Sequence, residues 1–481
     1  MNREPQRFAA RRAIELAIVS FALWAWFSFI ATRRIVDDDE AFYLIAASLV
    51  RNGSLPYVDF FFPQMPLTPY LYAAGQVLFG ASMESGRLVA VSAATASGVL
   101  VFYGIRRNLC FGMAVLGTAL FATHWLCIDW LVTSKTHSLS VMTALAAMLF
   151  AERDDRPSAV AAGVIAGLCF AGRALMLPVV VGVLIHLWAD GDRRRLRSAG
   201  VGFFVACIPV IALYAMDPAA FWFDNFGYHA VRADGEGYVK DVPQKLAQLA
   251  SVFLSPLWSS PGGGLAESTG LQTTPVVIMA ALAWRRCPSN PWAWLSFLLI
   301  AFAVLPSPTY SQYFVVVVGP LVIASMRFLG EWTCRGLRYA GLLLGLGCLA
   351  VVPSFRARVM DTSELRRSAH ADKVARAVRD VTPQGHAVAA HWPAFLVASE
   401  REILAPAHNQ FVRVAAARVA PSRHAALKLF SEGDLKAMLL RGEATTFVVG
   451  QYIVIDTALA LKRSGWQRQV APVGVSVWTR P

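Results

Sequence analysis

The chain is 481 residues long, 56% hydrophobic and 16% charged, which leaves more apolar surface than a soluble protein of this size can hide in its interior. A net charge of +13 would point a soluble protein towards nucleic acid, but these arginines sit in short segments between apolar runs, where membrane proteins collect them on the cytoplasmic side. Nucleic acid is therefore excluded as a partner. The seven cysteines lie in or beside apolar runs, none at metal-ligand spacing, so no disulfide framework is expected.

The first apolar run, 13–32, follows Arg3, Arg7, Arg11 and Arg12 as a signal sequence would. It is long and lacks a small-residue cleavage site, so it reads as a retained span. Behind it comes "RRIVDDDEAFYLIA" (33–46), which sets Asp37, Asp38, Asp39 and Glu40 at the mouth of that span. The next stretch, "DEAFYLIAASLVRNG", spaces Phe42, Ile45, Ala46 and Leu49 on one face, as an amphipathic helix lying in the membrane interface would. Run length then predicts spans at 85–104, 111–128, 136–151, 157–171, 174–189, 198–215, 271–284, 290–305, 312–328 and 339–353, about eleven with the first.

Charge tests that count. With the N-terminus in the cytoplasm, every inner loop is basic: Arg106 and Arg107, Arg153 and Arg156, "DGDRRRLR" (190–197), Arg285 and Arg286, then Arg327, Arg335 and Arg338. The acidic cluster falls outside. Two outer loops are long, 33–84 and 217–270, the second holding "FWFDNFGYHAVRADGEGYVKD" and "SSPGGG". Beyond residue 354 charges return, and helix-like stretches such as "ELRRSAHADKVARAVRD" alternate with strand-like "TTFVVG" and "VGVSVW". The expected fold is an all-α polytopic transmembrane bundle (1–353) with interfacial helices in its first outer loop. A small extracytoplasmic α/β domain (354–481) follows it.

The acids carry two readings. They can simply mark the translocated side and end a helix in water. Alternatively, carboxylates at the membrane surface can take a proton from a hydroxyl that is becoming a nucleophile. The residues around them favour the second. The stretch from Asp37 to Val91 resembles the first outer loop of the glycosyltransferase C superfamily, in the branch of the protein O-mannosyltransferases and the lipid A aminoarabinose transferase. The resemblance rests on Asp39-Glu40, Tyr43, Tyr57-Val58-Asp59, the prolines Pro63, Pro66 and Pro69, Phe79-Gly80, and Arg87 opening the next span. It covers the loop closely and the remaining chain in topology and spacing.

That resemblance implies an inverting transfer from a polyprenyl-phosphate sugar, delivered from the lipid phase, to a hydroxyl on the extracytoplasmic side. Asp39 takes the position of the family's base, with Asp38 as the alternative register and Glu40 orienting or binding acceptor. Tyr43, Tyr57 and Asp59 become substrate-binding candidates. Gln64 and Met65 stand where relatives often carry His or Lys, which makes Gln64 the candidate contact there. Arg173, in "GLCFAGRALMLP" between two runs that meet outside, is either a plain loop arginine or the cation for the departing phosphate.

Lys135 and His137 in "TSKTHSLS", His229 and Arg232 on one helix face, and Tyr310 and Tyr313 in "TYSQYF" complete the set. Individually each reads as an interfacial residue; together they would surround phosphate and sugar. "DDD" could ligate a divalent cation through oxygen, yet no further ligands are placed for one, and no cofactor is expected. His386 and His391 read as structural. A transporter or flippase of a lipid-linked sugar or another solute is the rival reading, but ion-coupled transporters usually place ionisable residues near mid-bilayer, and here charges gather at span ends. The Ala-, Arg- and Val-rich composition suggests a bacterial inner membrane, with undecaprenyl or decaprenyl phosphate as carrier. A glycan, lipid or protein would be the acceptor.

Overall fold

The computed structural model describes residues 4–232, 242–254, 270–330, 355, 359–360, 364–450, 455–469 and 471–481. The expected span 339–353 falls outside the described residues. So do Arg335, Arg338, Cys334, Cys348, the "ADGEGYVKD" stretch and "SSPGGG". The first half of the chain forms α1 (Glu4–Arg33), α2 (Glu40–Arg51), α3 (Leu67–Phe79), α4 (Met83–Arg106), α5 (Phe111–Thr123), α6 (Trp125–Trp130), α7 (His137–Ala151), α8 (Arg156–Gly172), α9 (Leu177–Ala189), α10 (Arg193–Met216), α11 (Pro218–Trp222) and α12 (Tyr228–Arg232). Helices Val242–Phe253, Gly270–Arg286, Pro291–Ala303 and Val315–Gly330 follow.

The chain is a multi-pass membrane protein. Among the described residues, four helices are long and apolar enough to cross a bilayer: Ala10–Arg33, Met83–Arg106, Arg193–Met216 and Ser311–Gly330. The other expected spans among the described residues are helical but shorter. Phe111–Thr123 and Pro291–Ala303 have 13 residues each, about 20 Å at 1.5 Å per residue. The expected span 111–128 is broken because His124 turns to extended backbone and caps α6, its ring nitrogen accepting from Leu126 N–H.

Local chemistry sets the helix starts. Ser82 and Ser85 form a reciprocal capping box on α4, Asp155 caps α8 ahead of Pro157, and Asp192 caps α10. α8 and α10 then approach backbone to backbone. A Cβ on Gly163 would overlap the Ala199 carbonyl, and one on Gly202 the Val160 carbonyl, so small residues set this contact. At one end of the bundle the basic loops meet acids: Arg106 with Glu15 at 3.0 Å, Arg327 with Glu152 at 2.6 Å, Arg107 with Glu152 at 3.1 Å. The acidic cluster after α1 lies at the other end of that helix.

A second hydrophobic core joins this other end to the C-terminal segment. It packs Phe42, Ile45, Tyr57, Phe62 and Tyr72 with Trp392, Phe395, Phe447 and Trp466. The segment carries a four-stranded sheet in the order β1-β2-β4-β3, from β1 (Val388–Ala390), β2 (Thr446–Val449), β3 (Gln467–Gln469) and β4 (Ser476–Thr479). β1 and β2 are parallel and the other pairs antiparallel. This alters the expectation for α2. Residues Glu40–Ala47 are buried on every side, because the C-terminal segment covers the face an interfacial helix would turn outward.

Candidate functional site

The acidic turn between α1 and α2 is built from a buried ion pair. Arg87, in the first turns of α4, donates from Nη1 to the carbonyls of Ala31 (2.7 Å) and Arg34 (2.6 Å), and from Nη2 to that of Ile35 (2.9 Å). Its Nε and Nη2 also reach the Glu40 carboxylate at 3.0 and 2.7 Å. Glu40 in turn accepts from the backbone N–H of Asp37 and of Ser134, both at 2.9 Å. One carboxylate, wholly buried, thus ties the acidic turn to the loop that carries Lys135. The C-terminal segment grips the same turn, Val36 N–H donating to the Arg366 carbonyl at 2.6 Å and Gln410 to the Asp38 carbonyl at 2.9 Å.

Lys135, buried, lies between two of the aspartates. Its Nζ is 2.5 Å from Asp37 Oδ1 and 3.2 Å from Asp39 Oδ2, donates to Gln312 Oε1 at 3.0 Å, and sits over the Trp130 ring. Burial alone would raise the Asp37 carboxyl, but the Lys135 ammonium and its hydrogen bond outweigh that and hold it below the ordinary value. On Lys135 burial pulls downward, and the two aspartates more than reverse it. Asp39 keeps 28% of its side chain exposed towards the cleft that these loops enclose.

Two guanidiniums enter the cleft from other elements. α8 stops at Gly172, and Arg173 is extended before a single 3-10 turn, which aims its side chain back across the bundle end. Its Nη1 donates to His137 Nδ1 at 2.8 Å and to Thr136 Oγ1 at 3.3 Å, with the guanidinium over Tyr313. Because arginine has only donors, His137 Nδ1 must be the acceptor, so that nitrogen carries no proton. Arg232, closing α12, donates to the Tyr310 hydroxyl at 3.1 Å and lies over the rings of Tyr310 and Phe411. Among the described residues no carboxylate forms an ion pair with Arg173 or Arg232. Burial, helped by the two arginines, pushes His229 down to about 4, so it is neutral at pH 7.

The structure brings together Asp39, Tyr43, Gln64, Lys135, His137, Arg173, His229, Arg232 and Tyr313 around this cleft, with Tyr310 reaching it through Arg232. It places the other candidates elsewhere. Asp38 turns to the surface near Arg366, at 3.9 Å. Glu40 is sealed in its pair with Arg87. Tyr57 is buried at a positive φ of 69°, its hydroxyl donating to the Gln64 carbonyl at 2.6 Å. Asp59 accepts from Leu55 N–H at 2.7 Å and closes a turn. These four shape the loop rather than line the cleft.

Phe42, named in the sequence only for its helix face, and Pro63, named only for the loop pattern, also line the cleft, as do Tyr228, Gln312 and Phe411, which sequence reasoning did not single out. Gln312 was within reach, standing between the two tyrosines of "TYSQYF". Phe411 was not, because it arrives from the C-terminal segment, where nothing in the local pattern marks it. His391 Nε2 lies 3.1 Å from Glu432 Oε1, away from the cleft.

Known proteins match this architecture. Residues 63–222 match the family described as dolichyl-phosphate-mannose-protein mannosyltransferase. ArnT from Cupriavidus metallidurans bound to undecaprenyl phosphate superposes with a TM-score of 0.64 at 14% identity, over 98% of both chains. The fold is that of the glycosyltransferase C superfamily. The apo state of the same ArnT gives a TM-score of 0.60 at 12% identity, again over 98% of both chains. The Archaeoglobus fulgidus oligosaccharyltransferase in complex with Zn and sulfate gives 0.53 at 14% identity, over 97% of this chain and 73% of that one. No curated protein sequence matches the chain.

Proposed function

We propose that the protein is an inverting glycosyltransferase that moves a sugar from a polyprenyl-phosphate donor to an acceptor hydroxyl at the outer face of a bacterial plasma membrane. The N-terminus is cytoplasmic in this reading, and the C-terminal segment extracytoplasmic. A cell-envelope glycan, a lipid or a protein serves as acceptor. The observation that carries the reading is the meeting of Asp39 with two guanidiniums that have no carboxylate partner among the described residues. A buried cation without a counter-ion is costly, and an incoming phosphate is the anion that two converging guanidiniums fit best. Undecaprenyl phosphate bound to the ArnT that shares this fold agrees with it.

In the reaction Asp39 takes the proton of the acceptor hydroxyl, and that oxygen attacks the anomeric carbon from the face opposite the phosphate. The bond from the anomeric carbon to the phosphate oxygen breaks, and its electron pair leaves with the polyprenyl phosphate. Arg173 and Arg232 meet the charge that develops there, in a site fixed before the substrate arrives. Lys135 holds Asp39 in place by the contact it shares with Asp37.

The test is transfer of radiolabelled sugar from a polyprenyl-phosphate donor pool in membranes carrying the full chain. Asp39→Asn is expected to lose about 10²–10⁴-fold in rate while still binding undecaprenyl phosphate, and Asp38→Asn to keep its activity. Wild-type transfer by Asp39→Asn would end the assignment of the base. Absence of any transfer by the wild type from all polyprenyl-phosphate donors would end the transferase reading.

A further inference from the structure

The charges around the cleft constrain the sugar. Among the described residues, three cations face it: Lys135, Arg173 and Arg232. Two carboxylates among the described residues answer them, Asp37 and Asp39, and both already contact the same ammonium. One positive charge remains, and the single negative charge of a phosphodiester cancels it. The two histidines add nothing: His137 Nδ1 accepts from Arg173, and His229 stands beside two guanidiniums that disfavour a third cation.

The remaining polar lining among the described residues is uncharged. Gln64 and Gln312 present amides and Tyr43 a phenol, groups that donate to and accept from hydroxyls without preferring a charge. Phe42, Tyr228, Tyr313 and Phe411 add aromatic rings to the wall, with Arg173 over Tyr313 and Arg232 over Phe411. An ammonium on the sugar would enter among three cations. The one carboxylate lining the cleft among the described residues is Asp39, which Lys135 already holds and the reaction requires.

We infer that the transferred sugar is electrically neutral, carrying hydroxyls and neither an amino nor a carboxylate group. The inference rests on the polyprenyl-phosphate reading above, and its test separates the two. Full-length protein in detergent is titrated with undecaprenyl phosphate alone. It is then titrated with the same lipid bearing a neutral hexose or pentose, an amino pentose, the N-acetylated form of that amino pentose, or a uronic acid. Binding is read as displacement of radiolabelled undecaprenyl phosphate at pH 7.

The neutral sugars and the N-acetylated sugar are expected to bind at least tenfold more tightly than the free amine and than the uronic acid. Gln64→Glu, which adds a carboxylate to the wall, is expected to narrow the gap between amine and neutral sugar at least threefold. Equal or tighter binding of the free amine overturns the inference and leaves the donor class standing, as does tighter binding of the uronic acid. An unchanged gap in a folded Gln64→Glu variant also overturns it. If undecaprenyl phosphate itself fails to bind, the donor reading falls and this inference falls with it.

Discussion

Glu40→Gln separates a residue that builds the site from one that reacts in it. The substitution keeps the shape of the side chain and removes its charge. In the native structure Glu40 accepts from four donors: the N–H groups of Asp37 and Ser134, and Nε and Nη2 of Arg87, all between 2.7 and 3.0 Å. A glutamine amide accepts through one oxygen only, so its NH₂ group must face donors whichever way it is turned. Arg87, 2% exposed, then keeps its three carbonyl partners but loses its counter-ion.

Breaking a buried pair from one side costs roughly 3–5 kcal/mol, because the surviving charge stays buried without compensation. The Asp37 turn and the Lys135 loop come apart together, since the same carboxylate tied them. Thermal unfolding of the purified variant in detergent should therefore show a clear drop in Tm, with transfer lost in parallel. Asp39→Asn should show the opposite pattern, a stable protein without transfer. A Glu40→Gln variant that melts like the wild type refutes the clamp. If that stable variant is also inactive, Glu40 acts in the chemistry itself.

Three further outcomes follow from the geometry. Arg173→Ala and Arg232→Ala should each weaken undecaprenyl phosphate binding about tenfold or more, as loss of a charge-assisted contact of ~1.5–3 kcal/mol implies; displacement binding reads this, and unchanged affinity in both would remove the phosphate site. Asp372, which caps α4 by accepting from Met83 N–H at 2.8 Å and Glu84 N–H at 3.2 Å, is pushed up to about 6, mainly by burial. A carboxyl raised in the folded state binds more protons there than in the unfolded one, so stability should fall as pH rises from about 4 to about 6. Asp372→Asn should flatten that part of a Tm-against-pH curve, and an unchanged slope would count against it. Gly163→Val should drive α8 off α10, because the added carbon meets the Ala199 backbone; the check is Tm and yield of folded protein, and normal values would show that the helices can separate cheaply.

Much of this protein could be read from its sequence because membrane insertion imposes one-dimensional rules. Run length, and arginines at alternate span ends, placed helices where α1, α4, α7, α8, α10 and the helix Val315–Gly330 are found. Resemblance within the first outer loop picked out Asp39 and Tyr43, and marked Gln64 as a departure from the pattern; all three line the cleft. Arg173 was marked by the oddity of a charge between two apolar runs. These signals are local, each needing only neighbours along the chain.

Tertiary structure decided what depends on contacts between distant segments. Asp38, Asp39 and Glu40 are adjacent in sequence and alike in chemistry, yet one faces solvent, one the cleft and one Arg87. The helix turn at the start of α2 and the arrival of Lys135 from nearly a hundred residues away make that division. Tyr57 and Asp59 carry the family pattern but serve the loop, because their polar atoms are used by backbone groups close by. Phe411 lines the cleft only because the C-terminal segment packs over α2. Composition and periodicity determined that the chain enters a membrane and where its helices run. Which polar groups converge, and which are consumed in holding others, was settled by burial: a polar atom removed from water takes the partner that folding brings to it.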